Sequence, residues 1–177
     1  MAHVMLDLET WGVLPGCALR SIGACVFDTI TGQIGETFYR NIDDGSCAKV
    51  GLLKEPGTVK FWSEQSEAAR DAFRHDAVPL GTALLDFGAW FRKVNAHQLW
   101  AHGANFDPPI LEAAHEAVML PIPWQFWNVR CCRTVLALGG RRPERVKGDT
   151  LHHALDDATA QAKAVATVFR GGSFLPS

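Results

Sequence analysis

The sequence has little that marks a membrane, secreted or zinc-stabilised protein. No apolar run approaches the roughly 20 residues that a transmembrane helix needs, and no basic segment followed by a long apolar run marks a secretion signal. The five cysteines form no Cys-x2-Cys pair, so they do not indicate a zinc site. Their odd number and the missing signal favour a reducing compartment. We therefore expect a cytoplasmic protein without a membrane partner.

The sequence also lacks an excess of positive charge. Seventeen lysines and arginines oppose 19 acidic residues, which gives a net charge of −2. An enzyme that holds only a few nucleotides needs local rather than overall positive charge, so nucleic acid stays a possible substrate. With 47% hydrophobic residues among 177, the chain can bury a sizeable core without disulfides. We expect a single domain over residues 1–177.

Hydrophobic periodicity predicts an α/β order of elements. Three strands in succession predict a meander, and a short apolar strand is expected to return beside the first. Residues 43–57, which are rich in Asp, Gly, Ser and Pro types, are predicted to be irregular. The predicted strands span about 3–10, 18–27, 33–42, 98–101 and 127–130, and the clearest predicted helices span about 79–96, 107–117, 132–138 and 156–169.

Two acids lie unusually close together in the first predicted strand. In an extended chain Asp7 and Glu9 point to the same face, and neighbouring carboxylates that leave water repel each other. A divalent cation reverses this argument, because carboxylate oxygens are the ligands that hard cations prefer. The alternative is an edge strand that ends in solvent with two harmless acids.

Two distant segments supply further acids. Residues 99–109 run from a short strand through Asn105 to Asp107, where a helix is predicted to begin with Pro108 at its favoured first position. An aspartate there is often only a helix cap, although capping and metal ligation are compatible. Near the other end of the chain, His152 precedes Asp157 by five positions at the start of the last predicted helix.

The three segments together resemble the motifs of a known family. Asp-Leu-Glu-Thr at residues 7–10, Asn-Phe-Asp at 105–107 and His-His-Ala-Leu-Asp-Asp-Ala at 152–158 are similar to the exonuclease motifs of the DEDDh group of 3′-to-5′ exonucleases. The resemblance implies a ribonuclease H-like α/β fold with a central mixed sheet of five or six strands flanked by helices. It also implies a site for two divalent cations, Mg²⁺ or Mn²⁺. The implied metal ligands are Asp7, Glu9, Asp107 and Asp157.

The resemblance gives His152 the role of accepting a proton from the attacking water. Imidazole suits this role because its unperturbed pKa of about 6.5 lies near working pH. The adjacent His153 competes for it, but the family pattern has four residues between histidine and aspartate, which selects the pair His152 and Asp157. The sister DEDDy group would carry a tyrosine at position 153, so that group does not fit. The second histidine has no interpretation from the sequence.

Aromatic and polar neighbours are candidates to hold the terminal nucleotide. Trp11 either stacks on a base, which is worth about 1–3 kcal/mol, or packs beneath a loop. Trp62 and Gln65 lie in Phe-Trp-Ser-Glu-Gln, which resembles a nucleotide-pocket segment of small bacterial and prophage exonucleases, including exonuclease VIII-like and mycobacterial exoribonuclease types. For Phe106 the alternative is core packing. The expected substrate-binding residues are Leu8, Thr10, Trp11, Trp62, Gln65, Asn105 and Phe106.

A basic loop precedes the motif histidine and either tracks phosphates or is only a solvated segment. Arg130 and Arg133 are further candidates to face the substrate. The basic residues of the loop are Arg141, Arg142, Arg145 and Lys147.

These patterns predict a metal-dependent 3′-to-5′ exonuclease that acts on single-stranded nucleic acid or 3′ overhangs and releases nucleoside 5′-monophosphates. The choice between RNA and DNA stays open, because one group that contacts the 2′-hydroxyl decides it. By analogy with related small exonucleases we expect a homodimer. The alternatives are a proofreading or nucleic-acid-binding module that is active only within a larger assembly, an endonuclease of ribonuclease H type, and a non-catalytic metal-binding domain.

Overall fold

The computed structural model describes residues 2–73, 75–143 and 152–171, which form five strands and seven helices. The strands are β1 (Ala2–Thr10), β2 (Leu19–Phe27), β3 (Ile34–Asn41), β4 (Ala96–Ala101) and β5 (Val129–Cys131). The helices are α1 (Asp44–Lys49), α2 (Pro56–Ser63), α3 (Glu67–Asp71), α4 (Leu80–Lys93), α5 (Asp107–Ala117), α6 (Cys132–Leu138) and α7 (Ala154–Gly171). None of the helices in these described ranges has the length and apolar character needed to cross a membrane.

The strands form one mixed sheet in the order β3-β2-β1-β4-β5. β1, β2 and β3 pair antiparallel as a meander, whereas β4 runs parallel to β1 and β5 runs parallel to β4. The predicted meander, the return of the fourth strand beside the first and the mixed five-stranded sheet are confirmed. β1 therefore lies at the centre of the sheet, with a paired strand on each side.

Alternation along β1 divides its side chains between two cores. Val4, Leu6 and Leu8 belong to a core that residues of α4 and α5 complete. Met5 belongs to a second core on the opposite face, with residues of α6 and α7. Burial of apolar surface on both faces, worth about 25 cal/mol per Å², fixes the register of β1. The face of Met5 continues into Asp7, so the first motif points toward α7.

Gly23 allows α7 to approach the sheet at the acidic end of β1. It pairs with Asp7 across the ladder between β1 and β2. A Cβ at this position would lie 2.3 Å from both the carbonyl carbon of Ala154 and the amide nitrogen of Leu155. The first turn of α7 thus occupies the space that a side chain would need. This close approach brings Asp157 to the face of the sheet that carries Asp7.

Residues 43–57 are not an irregular excursion, and the prediction for this segment is wrong. They contain α1, which begins after Asp43, and the carboxylate of Asp43 caps the helix by accepting the Ser46 amide at 2.8 Å. They also contain the start of α2 at Pro56, a favoured first helical position. Asp, Ser and Gly types serve equally as helix caps and as turn residues, so composition alone does not separate the two.

Gly23→Ala is expected to displace the start of α7, because the new Cβ meets backbone atoms that cannot rotate away. Overpacking of this kind costs about 1–3 kcal/mol, so the free energy of unfolding measured with urea should fall by that amount, and Mn²⁺ binding should weaken. Gly81→Ala in α4 is the control, because a Cβ there meets nothing within 4 Å. Equal stability of the two variants would contradict the close approach of α7 to the sheet.

Candidate active site

The carboxylate of Asp107 hydrogen-bonds to the carboxyl end of β1, beyond the point where β4 stops pairing with it. The parallel ladder between the two strands ends at the pair Leu6 and Ala101. The next amide on that edge belongs to Leu8, and Oδ1 of Asp107 accepts its hydrogen at 3.1 Å. Asp107 is the first residue of α5 and is 3% exposed. Its carboxylate therefore does not cap its own helix, as the alternative interpretation proposed, but is tied to the strand directly after Asp7.

Three further carboxylates converge beside this bond. Single ligand oxygens of Asp7, Glu9 and Asp157 all lie within 4.8 Å of one another. Glu9 is 8% exposed, and Asp7 is also largely covered. Asp107 is not one of this group of three, although it lies close enough to influence the charge of Asp7. Clustered oxygen donors of this kind suit a divalent cation.

Burial raises the pKa of two of these acids when no metal is present, and repulsion adds to the shift of one of them. Loss of solvation raises the pKa of Asp7 well above its usual range, and the charges of Asp107, Glu9 and Asp157 raise it further. Burial raises the pKa of Asp107 to about 7, although the N–H of Leu8 opposes this shift. A bound cation would relieve both effects, since it replaces lost hydration and screens the repulsion.

Asp7, Glu9 and Asp157 line a groove of about 720 Å³ that is bordered by residues of β1, α6 and α7. Arg133 lines the groove, and its guanidinium donates to the carbonyl oxygen of His102 at 2.9 Å. Arg141 and Arg142, two of the predicted basic residues, line it as well. The groove therefore combines clustered carboxylates with local positive charge, as contact with a phosphate backbone requires. The other two predicted basic residues, Arg145 and Lys147, lie outside the described residues.

The two adjacent histidines have different surroundings. His152 lines the groove, and its ring meets Phe61 and Trp62 edge to face at centroid distances of 5.2 and 5.7 Å. Its φ of 60° is left-handed, which is uncommon for a residue with a side chain. His153 instead stacks on Tyr39 with ring centroids 4.3 Å apart. The structure thus gives His153 a packing contact, which the sequence did not indicate.

A second pocket, of about 360 Å³, adjoins the groove and shares Leu8 and Glu9 with it. Phe61, the first residue of the Phe-Trp-Ser-Glu-Gln segment from which only Trp62 and Gln65 were predicted to bind substrate, lines this pocket. Trp62 is fixed there because its indole N–H donates to the carbonyl oxygen of Thr10 at 2.8 Å. The predicted substrate-binding residues that line the pocket are Leu8, Thr10, Trp62 and Phe106.

The remaining predicted substrate-binding residues line neither the groove nor this pocket. The indole N–H of Trp11 donates to the carboxylate of Asp44 at 2.6 Å, and the guanidinium of Arg20 lies 4.2 Å from the ring centroid. These contacts correspond to the packing alternative for Trp11, and base stacking by Trp11 stays a prediction. Gln65 donates to a backbone carbonyl four residues earlier at 3.0 Å, and Asn105 is exposed.

Two polar residues that line the groove, His102 and Gln161, were not among the predicted site residues. His102 directly follows β4, and burial and the charge of Arg133 lower its pKa. Gln161 donates a hydrogen bond to Asp7. Two sequence features could have indicated these residues. His102 follows a strand that was predicted to lie beside the first, and Gln161 lies about one helical turn after Asp157.

Comparisons with solved structures agree with this geometry. The chain is similar to the nuclease domain of 3′hExo, a DEDDh family member, bound to rAMP, with a TM-score of 0.62 and 13% identity over 99% of this chain and 94% of that one. It is also similar to exonuclease X in complex with 5′-overhanging duplex DNA, with a TM-score of 0.60 and 16% identity over 96% of this chain and 92% of that one. A third similar structure is E. coli exonuclease I in complex with an oligonucleotide, with a TM-score of 0.63 and 15% identity over 94% of this chain. This chain spans only 40% of that protein. A search of curated protein sequences found no match.

The fold is that of the ribonuclease H-like exonucleases of DEDDh type, as predicted. Residues 2–169 match the model of the 3′-5′ exoribonuclease Rv2179c-like domain, so the chain belongs to that family. The predicted enzyme class, a 3′-5′ exonuclease, is therefore confirmed. Membership also implies divalent metal ions, and the convergent oxygens of Asp7, Glu9 and Asp157 fit such ions.

Asp107→Asn is expected to remove charge from the cluster while it keeps an oxygen acceptor for the amide of Leu8. A carboxyl group whose pKa rises from 3.8 to about 7 on folding stabilises the fold at low pH, and this contribution is lost as pH rises through that interval. In the presence of chelator, the urea midpoint of the variant should therefore fall less between pH 4 and pH 8 than that of the wild type. Mn²⁺ at pH 8 should stabilise the variant less.

The control for this comparison is Asp86→Asn, which removes an exposed carboxylate from a surface ion pair with Arg40. It should keep the pH dependence and the Mn²⁺ response of the wild type, because exposed pairs contribute little. If Asp107→Asn also behaves like the wild type, the charge of Asp107 is not a source of the pH dependence.

Proposed function

We propose that this chain is a metal-dependent exonuclease that removes nucleotides from the 3′ end of single-stranded nucleic acid or of a 3′ overhang and releases nucleoside 5′-monophosphates. The observation that carries the proposal is the convergence of Asp7, Glu9 and Asp157 beside the buried Asp107, in a groove that arginines also line. The adjoining aromatic pocket supports a substrate whose last base leaves the stack, since aromatic side chains bind any base face.

The four acids would hold two divalent ions, for which Mg²⁺ and Mn²⁺ are the proposed identities, since carboxylates suit both. When bound, such ions acidify the attacking water and neutralise charge on the phosphate and on the leaving oxygen. Asp107 also anchors the site through the amide of Leu8, so one residue combines a structural bond with a proposed ligand.

Side chains of the protein itself accept the proton and position the substrate. An imidazole nitrogen of His152 takes a proton from the water whose oxygen forms the new bond to phosphorus. The bond from phosphorus to the 3′ oxygen of the preceding nucleotide breaks, and that oxygen gains a proton from solvent. Phe61 and Trp62 hold the His152 ring toward the groove. Arg133 and Arg141 line the groove, which supports a role for them in contacts with substrate phosphates.

Single-stranded RNA is the first substrate of this proposal, because the description of the family names an exoribonuclease. The related structures were solved with different nucleic acids: 3′hExo with rAMP and exonuclease X with duplex DNA. Matched RNA and DNA strands are therefore both needed to rank the substrates.

We also propose that the enzyme works in the cytoplasm as a homodimer. All five cysteines are free, which agrees with a reducing compartment. The dimer rests on the resemblance to small exonucleases. Light scattering at micromolar concentration should give twice the chain mass, and the mass of a single chain would contradict the dimer.

Incubation of 5′-labelled single-stranded RNA with the protein and Mg²⁺ or Mn²⁺ should give a ladder that shortens from the 3′ end. The matched DNA strand should be tested in parallel. Asp7→Asn should abolish the ladder, because it removes a central carboxylate at nearly constant volume, and chelator should do the same. A circular strand should remain intact, since it offers no 3′ end. Cleavage of the circle would indicate an endonuclease, and a folded, metal-binding protein without any ladder would favour a module that acts only within a larger assembly.

His152→Ala should lower kcat by about 100- to 10,000-fold, the usual contribution of a general base, and leave the affinity for Mn²⁺ unchanged. His153→Ala is the matched control, because the ring of His153 stacks on Tyr39 rather than lining the groove. The control should retain most of the activity. Equal losses in the two variants would assign the effect of His152→Ala to a disturbed start of α7 rather than to proton transfer.

A further inference from the structure

Gln161 is a buried polar residue within an alanine-rich stretch of α7. It is 5% exposed and lines the groove. Its Nε2 donates a hydrogen bond to Oδ1 of Asp7 at 2.8 Å. In the part of the chain that the structure describes, its Oε1 is buried and makes no hydrogen bond. A buried amide with one half unpaired destabilises a fold, so folding alone does not account for a glutamine at this position.

The spacing along α7 brings Gln161 to the acidic cluster. Gln161 follows Asp157 by four residues, so the two side chains leave the same face of the helix. α7 thus presents two different groups to the end of β1, a carboxylate and a neutral hydrogen-bond donor. The second group does not add to the charge of the cluster.

A carboxylate needs such a donor because its terminal torsion is soft. The last torsion of an aspartate side chain has a broad distribution, so the backbone of β1 alone does not fix the plane of the Asp7 carboxylate. Repulsion from Glu9 and Asp157 favours rotation away from them. A donor held rigidly by α7 opposes that rotation.

We propose that Gln161 is a positioning residue that holds the carboxylate of Asp7 in the orientation required for a divalent cation. A neutral amide suits this role better than lysine or arginine, because a positive side chain would pair with Asp7 and compete with the cation. Hydrogen-bond partners of metal ligands act in this way in metal sites generally. The inference rests on the metal site of the proposed exonuclease, but not on its hydrolytic activity.

Gln161→Met tests the proposal because methionine has a similar length and volume but no donor. The metal-free variant should be folded, with a stability close to that of the wild type, because it loses the unpaired acceptor but also leaves Oδ1 of Asp7 without its donor. Its affinity for Mn²⁺, measured from the electron paramagnetic resonance of the free ion, should be weaker by about 10- to 100-fold. Nuclease activity lost at low Mn²⁺ should return when the Mn²⁺ concentration is raised by a similar factor.

Val165→Ala is the matched control. Val165 lies one helical turn beyond Gln161, is fully buried and packs in the core between α7 and the sheet. Its truncation should lower the free energy of unfolding without changing the affinity for Mn²⁺. If both variants lose affinity equally, the metal site follows the packing of α7 and the proposal is wrong.

Gln161→Asn provides a second variant in case methionine prevents folding. It keeps the amide but is shorter by one methylene group, so it should not reach Asp7 and should lose affinity for Mn²⁺ as well. Wild-type affinity in either folded variant would overturn the proposal. Tight Mn²⁺ binding by the wild type without hydrolysis would refute the proposed function and leave this inference standing.

Discussion

Carboxylates that are buried close together oppose folding, because each loses hydration and repels the others in a medium of low dielectric constant. This opposition is concentrated at the end of β1, where burial raises the pKa of both Asp7 and Asp107, and the neighbouring negative charges raise that of Asp7 further. The two apolar cores on either face of the sheet supply the stability that offsets it. A chain that only had to fold would replace these acids by apolar residues. Their retention in the centre of the sheet is explained by a cation, which turns the repulsion into ligation.

Each acid reaches the cluster through a different structural device. Asp7 and Glu9 lie on the same face because side chains alternate along a strand. The position of the Asp107 carboxylate depends on where β4 stops pairing with β1. Beyond that point the carboxylate, instead of a residue of β4, accepts the hydrogen bond from the amide of Leu8. Asp157 depends on the missing side chain of Gly23 and stands in the first turn of α7, where the helix dipole favours negative charge. The site is therefore a product of the whole topology, and a small shift of one element changes the separation of the charges.

The sequence predicts the structure and the site best where they depend on residues that are close together in the chain. Alternation in β1 predicts that Asp7 and Glu9 share a face, and hydrophobic periodicity predicts the meander, because both depend on near neighbours in the chain. The assignment of Asp107 and Asp157 comes instead from the resemblance of the motifs to a known family. α1 was missed because its capping residues are also turn residues. The position of Trp11 follows from a hydrogen bond to Asp44, 33 residues away, which no local pattern contains. Gln161 was missed for the same reason, since its contact with Asp7 exists only after folding.

In the proposed enzyme the two sides of the acidic cluster have different tasks. Residues of α2, with Phe61 and Trp62, provide aromatic surface beside His152, whereas α6 and the segment after it provide Arg133 and Arg141. Aromatic stacking accepts any base, and contacts to phosphate carry no sequence information. A site built from these two surfaces can bind each new 3′ end that hydrolysis creates. Phe61 both lines the aromatic pocket and contacts the ring of His152, so in the proposed enzyme it would connect the bound base to the proton acceptor.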